Sequence, residues 1–261
     1  MTTPDLLRRI VERRRAAYSG AGASRSASPG AGDAPRFGPG DHPFLGALAR
    51  RPRAAIAEVK LGSPRLGPIR TPMDPERLAA AYAEAGAAAL SVVVEPEFFF
   101  GSWELLARCR RASGLPTIAK DFVVHPRQID EAATAGADAI LLIAALYEPR
   151  RLAAWAALAR AHGLVPLVEV HDEEDLARLA RGDWELVGVN NRDLRTFQVE
   201  IERSIRLAPR LPAAALPVAE SGISRRAEVD RLASAGYRAF LVGESLLTAG
   251  DPGAKLRELF G

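Results

Sequence analysis

A chain of 261 residues, 48% of them hydrophobic, can bury one large core or two small ones. Its formal net charge is only +3, and no Lys/Arg run is interleaved with aromatics, which excludes a nucleic-acid footprint. One cysteine, Cys109, rules out a disulfide framework within the chain, and four histidines without ligand spacing give no ground for a metal site.

No apolar run is long enough to span a bilayer, and the N-terminus lacks the basic-then-apolar layout of a signal peptide. A cytoplasmic protein without a membrane role is expected. Leu6, Leu7, Ile10 and Val11 have helical spacing and predict a helix over 4–18. Residues 19–42 are rich in Gly, Ser, Ala and Pro and predict a mobile loop or linker. The "GAGAS" within it follows no strand and opens no helix, so it is not a dinucleotide-binding turn. "HPFLGALAR" over 42–50 predicts a short helical lead-in. Residues 1–53 thus form an N-terminal extension, and 54–261 a second unit with a different pattern.

From residue 54 short apolar runs alternate with amphipathic stretches. The runs predict strands over 54–60, 88–95, 116–123, 139–145, 165–171, 186–191, 217–223 and 239–245. The stretches between predict helices over 75–86, 102–113, 126–136, 149–163, 172–181, 200–210, 225–236 and 252–260. Asp, Ser or an early Pro opens several of them, as helix caps do. Cys109 falls on one of these helices, where a lone cysteine packs. Near-continuous apolar strands suit a parallel sheet buried on both faces. Eight regular βα units most economically close into a (β/α)8 barrel, preceded here by the helical extension. A doubly wound open sheet is the alternative, but no Gly-rich dinucleotide turn supports it.

Polar residues collect at the C-terminal ends of the strands: Glu58 and Lys60, Glu95, Lys120 and Asp121, Glu169 and His171, Asn190 and Asn191, Glu220 and Ser221, Glu244 and Ser245. Ile56, Glu58 and Lys60 share one strand face. In a barrel these ends meet at one mouth. Two lysines near several carboxylates suit proton transfer. A Schiff-base lysine at 60 or 120 stays open on these grounds, as does a set of structural ion pairs. Gly222 after the seventh strand, Gly243 at the eighth and "GSPRLG" after the first fit a phosphate site, or ordinary turns.

"IAEVKLGSPRLG" closely resembles the signature of the indole-3-glycerol phosphate synthase family. The likeness continues in order through "SVVVEPEFFFGS", "IAKDFVVHPRQI", "ADAILLIAA", "PLVEVHDEEDL", "VGVNNRDLRTF", "VAESGIS" and "FLVGESLL", spanning about residues 42–260. The resemblance implies a carboxy-lyase of tryptophan biosynthesis that needs no cofactor and acts on a small phosphorylated substrate. It implies Lys120 as the ring-closing lysine and Glu169 as the base. Lys60 and Glu58 are the strand-one pair, with Lys60 on the substrate carboxylate and as acid in dehydration. Asn190 and Glu220 hold hydroxyls. How the proton transfers divide among these groups stays open. Ser63, Ser221, Gly222, Gly243 and Glu244 match phosphate-side positions, Glu244 through its backbone N–H. Phe99, Phe122, Leu141, Ile143 and Leu194 match the slot for the anthranilate ring, and Arg192 matches an arginine near strand six. Val94, Arg65 and Leu61-Gly62 depart from the family pattern, and the N-terminal extension is shorter and more Gly/Ser-rich. A monomer, or a weak homodimer, is expected.

Overall fold

The computed structural model describes residues 4–20, 36–38, 40–64, 67–69, 73–193 and 198–261. Eight strands form its centre: β1 (Ala54–Val59), β2 (Ala89–Val93), β3 (Thr117–Lys120), β4 (Ala139–Ile143), β5 (Val165–Val170), β6 (Leu186–Asn190), β7 (Leu216–Glu220) and β8 (Ala239–Val242). All pair in parallel and in chain order, and β8 returns to β1 to close the barrel. The expected eightfold alternation is therefore the architecture found.

Period-two alternation divides each strand between two cores. Ile56, Ile118, Leu141, Leu167, Leu186, Val218 and Leu241 point inward. Ala57, Leu90, Ala119, Ile140, Val168, Val187 and Phe240 point outward and pack under the helices. Large inward residues sit beside small ones, as Ile56 does beside Ala89 and Ile118 beside Ala139, so the interior fills without a pore.

The lower end of the barrel is closed by a helix. His42 caps α2 (Pro43–Ala49) by accepting the Phe44 N–H at its Nδ1, 3.2 Å away. Phe44, Leu45 and Leu48 then join Ala54, Ala88 and Ala239 in the inner core. The linker expected over 19–42 lies mostly outside the described residues. Its described part includes Phe37, which packs against the same core while its N–H donates to Glu185.

The outer helices start where short polar caps allow. Asp74 caps α3 (Pro75–Glu84), Ser102 caps α4 (Trp103–Ser113), Asp172 caps α7 (Glu173–Arg178) and Asp251 caps α11 (Pro252–Phe260). Cys109 is buried on α4 and burial pushes its thiol up to about 12, in keeping with a packing role. The remaining outer helices are α5 (Arg127–Thr134), α6 (Pro149–Ala161), α8 (Ile201–Leu207), α9 (Arg226–Ser234) and the short α10 (Glu244–Leu247). Among the described residues no helix is long and apolar enough to cross a membrane.

Three features differ from expectation. β8 stops at Val242, and residues expected to prolong it coil into α10. The predicted helix 200–210 gives way to a 3-10 turn, Ala208–Arg210, where Pro209 offers no N–H to an α-helical ladder. Gly62–Ser63 pairs with Gly67–Pro68 in a two-residue ribbon above β1.

The N-terminal helix α1 (Pro4–Tyr18) docks beside the upper rim. Ile10 and Val11 are buried, Arg14 pairs with Asp121 just beyond β3, and Tyr18 bonds Glu131 and stacks on His125. Because Phe44 sits far from the polar end, Phe44→Ala should cost about 3–5 kcal/mol of stability. Urea unfolding would read that loss, and turnover of the folded fraction should stay at the parent level.

Candidate active site

The same alternation that packs the inner core places charge at its upper end. One step above Ile56 the inward residue of β1 is Glu58, and Lys60 follows just past the strand. The matching positions are Lys120 on β3, Glu169 on β5, Asn190 on β6 and Glu220 on β7. Lys120 is their centre. Its Nζ lies 2.9 Å from Glu220 Oε2, 3.7 Å from Glu58 Oε2 and 4.0 Å from Glu169 Oε2. Lys60 Nζ is 2.9 Å from Glu58 Oε1.

Two glycines make this crowding feasible. A Cβ on Gly188 would stand 2.1 Å from Glu220 Oε1, and one on Gly243 would stand 2.4 Å from Glu58 Oε1. Any larger residue there would push a carboxylate off the lysines.

Burial and charge compete on Lys120, Glu58, Glu169 and Glu220. Burial disfavours the Lys120 ammonium, but Glu220, Glu58 and Glu169 outweigh it and raise the pKa above the ordinary lysine value. Burial works against the Glu58 carboxylate, yet Lys60 and Lys120 hold its pKa below the usual range. Glu169 is also buried, but His171, then Lys120 and Asn190, bring it down to about 2. Glu220 goes the other way. Its burial, opposed by Lys120 and reinforced by Glu169, pushes it up to about 7. The two glutamates titrate as a pair, with Glu220 held above and Glu169 below the ordinary carboxylate value.

Above the charges opens a cavity of about 570 Å³. Phe99, Phe122, Leu141 and Ile143 line one part of it, with the two phenyl rings 6.1 Å apart. Ser63, Ser221, Gly222, Gly243 and Glu244 line another. Ser221 and Gly222 both have positive φ, 64° and 78°, which turns this stretch sharply after β7. A Cβ at Gly222 would strike Val199, so the turn needs glycine for space as well as torsion. Arg192 donates to Glu244 Oε2 at 2.7 Å, bridging the loops after β6 and β8.

The structure thus gathers Glu58, Lys60, Ser63, Phe99, Lys120, Phe122, Leu141, Ile143, Glu169, Asn190, Arg192, Ser221, Gly222, Gly243 and Glu244 around one cavity. Glu220 lies behind Lys120 rather than on the wall. Leu194 lies outside the described residues. Alternation sorts the polar pairs left unsorted by sequence. Asn190 faces the cavity, whereas buried Asn191 bonds Ser204 and the Ser221 carbonyl. Asp121 borders the cavity too, while its carboxylate pairs with Arg14 and Gln128. Glu95 accepts the N–H groups of Glu97, Phe98 and Phe99 and shapes the loop after β2. Lys255 of α11 also borders the cavity. Nothing in its amphipathic surroundings marks it in the sequence.

Parallel barrels that collect ionisable groups at the C-terminal ends of their strands are enzymes, and one whose groups are amines and carboxylates works by moving protons. A family model described as indole-3-glycerol phosphate synthase matches residues 7–259. The chain is 50% identical over 208 residues to the indole-3-glycerol phosphate synthase of Koribacter versatilis, covering 80% of each chain. It is 46% identical over 223 residues to that of Polaromonas sp., covering 84% of each. The chain belongs to the indole-3-glycerol phosphate synthase family. The thiamine phosphate pyrophosphorylase from Pyrococcus furiosus shares the fold, with a TM-score of 0.57 at 16% identity over 81% of this chain and 95% of that one.

The raised Glu220 pKa has a stability signature. Over the interval from the ordinary 4.5 to about 7 the folded chain binds more protons at this site than the unfolded one. Stability therefore falls as pH rises through that interval. Glu220→Gln should flatten this fall by about 1–3 kcal/mol, read as a smaller difference between melts at about pH 5 and pH 8.

Proposed function

We propose that this cavity performs the reaction of the family: conversion of 1-(2-carboxyphenylamino)-1-deoxyribulose 5-phosphate to indole-3-glycerol phosphate, releasing CO2 and water. The observation that carries the reading is the placement of Lys120. It stands between an apolar slot of aromatic size and a glycine-lined corner, with a carboxylate on each side.

The substrate has a matching layout. Its aromatic ring enters the slot of Phe99, Phe122, Leu141 and Ile143, which excludes water from the forming bond. Its phosphate meets the Ser63 and Ser221 hydroxyls and the N–H groups of Gly222, Gly243 and Glu244, while the Glu244 carboxylate stays with Arg192. Lys60, next to the slot, meets the substrate carboxylate.

The ring carbon bearing that carboxylate attacks the ketose carbonyl. A carbon–carbon bond forms, the carbonyl electron pair moves to oxygen, and the Lys120 ammonium protonates the oxygen as it gains charge. The bond to the carboxylate then breaks, CO2 leaves, and its electron pair restores the aromatic ring. In the last step Glu169 removes a proton from the neighbouring methylene. The new hydroxyl leaves as water, taking a proton from Lys60. Glu58 pairs with both lysines at the outset. Glu220, with its pKa near 7, returns a proton to Lys120. Asn190 holds a substrate hydroxyl.

The barrel of 54–261 carries all of this chemistry, and in the 1–53 extension α2 closes the lower end while α1 flanks the rim. The chain works in the cytoplasm as a monomer or weak homodimer, with no nucleic-acid partner. Indole fluorescence in a turnover assay tests the reading. Lys120→Ala should keep the fold by circular dichroism and lose at least about 10²-fold in kcat. Unchanged turnover in that variant overturns the lysine assignment, and no product from folded parent protein overturns the activity itself. Inorganic phosphate at millimolar concentration should raise KM without lowering kcat. Lack of competition counts against the phosphate corner.

A further inference from the structure

One buried array near the mouth has no part in the chemistry above. His171 lies one residue past β5 on the same side as Glu169. Its Nε2 is 3.3 Å from Glu169 Oε1, and its Nδ1 is 3.1 Å from Asp175 Oδ2. Asp175 also accepts the His171 backbone N–H, at 3.0 Å. Asp175 is itself fixed: its N–H donates to the Asp172 cap of α7, and Arg178 Nε lies 3.7 Å from its other oxygen. Glu169, His171 and Asp175 are 2%, 8% and 5% exposed. His171 does not border the cavity, so it acts on substrate only through another residue.

We propose that His171, backed by Asp175, is a positioning residue that holds Glu169 as a carboxylate by setting a buried cation against one of its oxygens. The inference rests on the assignment of Glu169 as base. The geometry argues it directly. An imidazole with a carboxylate at each nitrogen needs a proton on both, because a neutral ring would aim a lone pair at one of them. The cation faces Glu169 Oε1 at ion-pair distance, without the alignment of a hydrogen bond, and Oε2 lies toward Lys120. Burial disfavours the imidazolium, but bonds and charge from Asp175 and Glu169 push His171 up to about 10.

Around Glu169 itself stand Lys120 from β3, Asn190 from β6 and Glu220 from β7. Lys120 alone is shared among three carboxylates. His171 is therefore the group that sets Glu169 apart from Glu220, which has no histidine beside it. Two like carboxylates are assigned opposite roles by what lies behind one of them.

The test compares pH profiles of the parent, His171→Gln, Asp175→Asn and Glu169→Gln in the indole assay. His171→Gln should lower kcat about 10-fold or more near neutral pH and move the acid limb of the kcat profile up by about one unit, with KM nearly unchanged. Asp175→Asn should move it the same way by less. An unmoved acid limb, or a raised KM with kcat intact, overturns the proposal. Parent-like turnover in Glu169→Gln overturns the base assignment instead and leaves the positions of these groups to be explained otherwise. Nitrogen-15 spectra of the parent protein serve should His171→Gln not fold. Replacing His42, His125 and His162 in turn assigns the remaining imidazole signal. Two ring N–H groups on His171 up to about pH 9 are expected, and a single one at neutral pH overturns the proposal.

Discussion

The structure depends on keeping one ammonium, that of Lys120, out of bulk water without leaving it uncompensated. A lone buried cation would shed its proton or disrupt the core. Here three carboxylates face it from β1, β5 and β7. Three anions against two lysines would leave excess negative charge. That excess disappears when Glu220 keeps its proton, and His171 and Asp175 add one further balanced pair. The site is then neutral before substrate arrives, while Glu169 and Glu220 differ in proton affinity. The glycines at 188 and 243 belong to the same balance, since they set how closely the charges approach.

Around this cluster the strand ends follow a division of labour. At the ends of β3 and β6 one residue turns inward and its neighbour ties down a wall. Lys120 has Asp121, which ties β3 to α1 through Arg14 and to α5 through Gln128. Asn190 has Asn191, which ties β6 to α8 and to the turn after β7. The neighbour freezes the backbone from which the inward side chain projects, so reactive atoms are positioned by buried bonds rather than by exposed loops. Buried ion pairs contribute little net stability. The apolar layers below and outside carry the fold, and the mouth is free to be arranged for chemistry.

The sequence made the barrel and its inward polar set legible because both follow from period-two patterning. Counting in twos from Ile56 reaches Glu58 and Lys60, and from Leu167 reaches Glu169. Where two polar residues were adjacent, as at 190 and 191, composition alone did not choose, and the register of the strand did. Other features carried no local pattern. The "AFLVGES" run reads as strand to residue 245, yet β8 ends at Val242, where the glycine-lined corner begins. His171 and Asp175 meet because α7 folds back over the end of β5, and Lys255 reaches the cavity from a helix whose sequence looks like any surface helix. Such contacts depend on how elements pack, which neighbouring residues do not encode.

The helix α2 beneath the barrel has a consequence for traffic. Phe44, Leu45 and Leu48 seal the end opposite the charges. In the reaction proposed above, CO2 freed at Lys120 therefore meets a wall of described residues beneath it, and the cavity above is the side open to its departure.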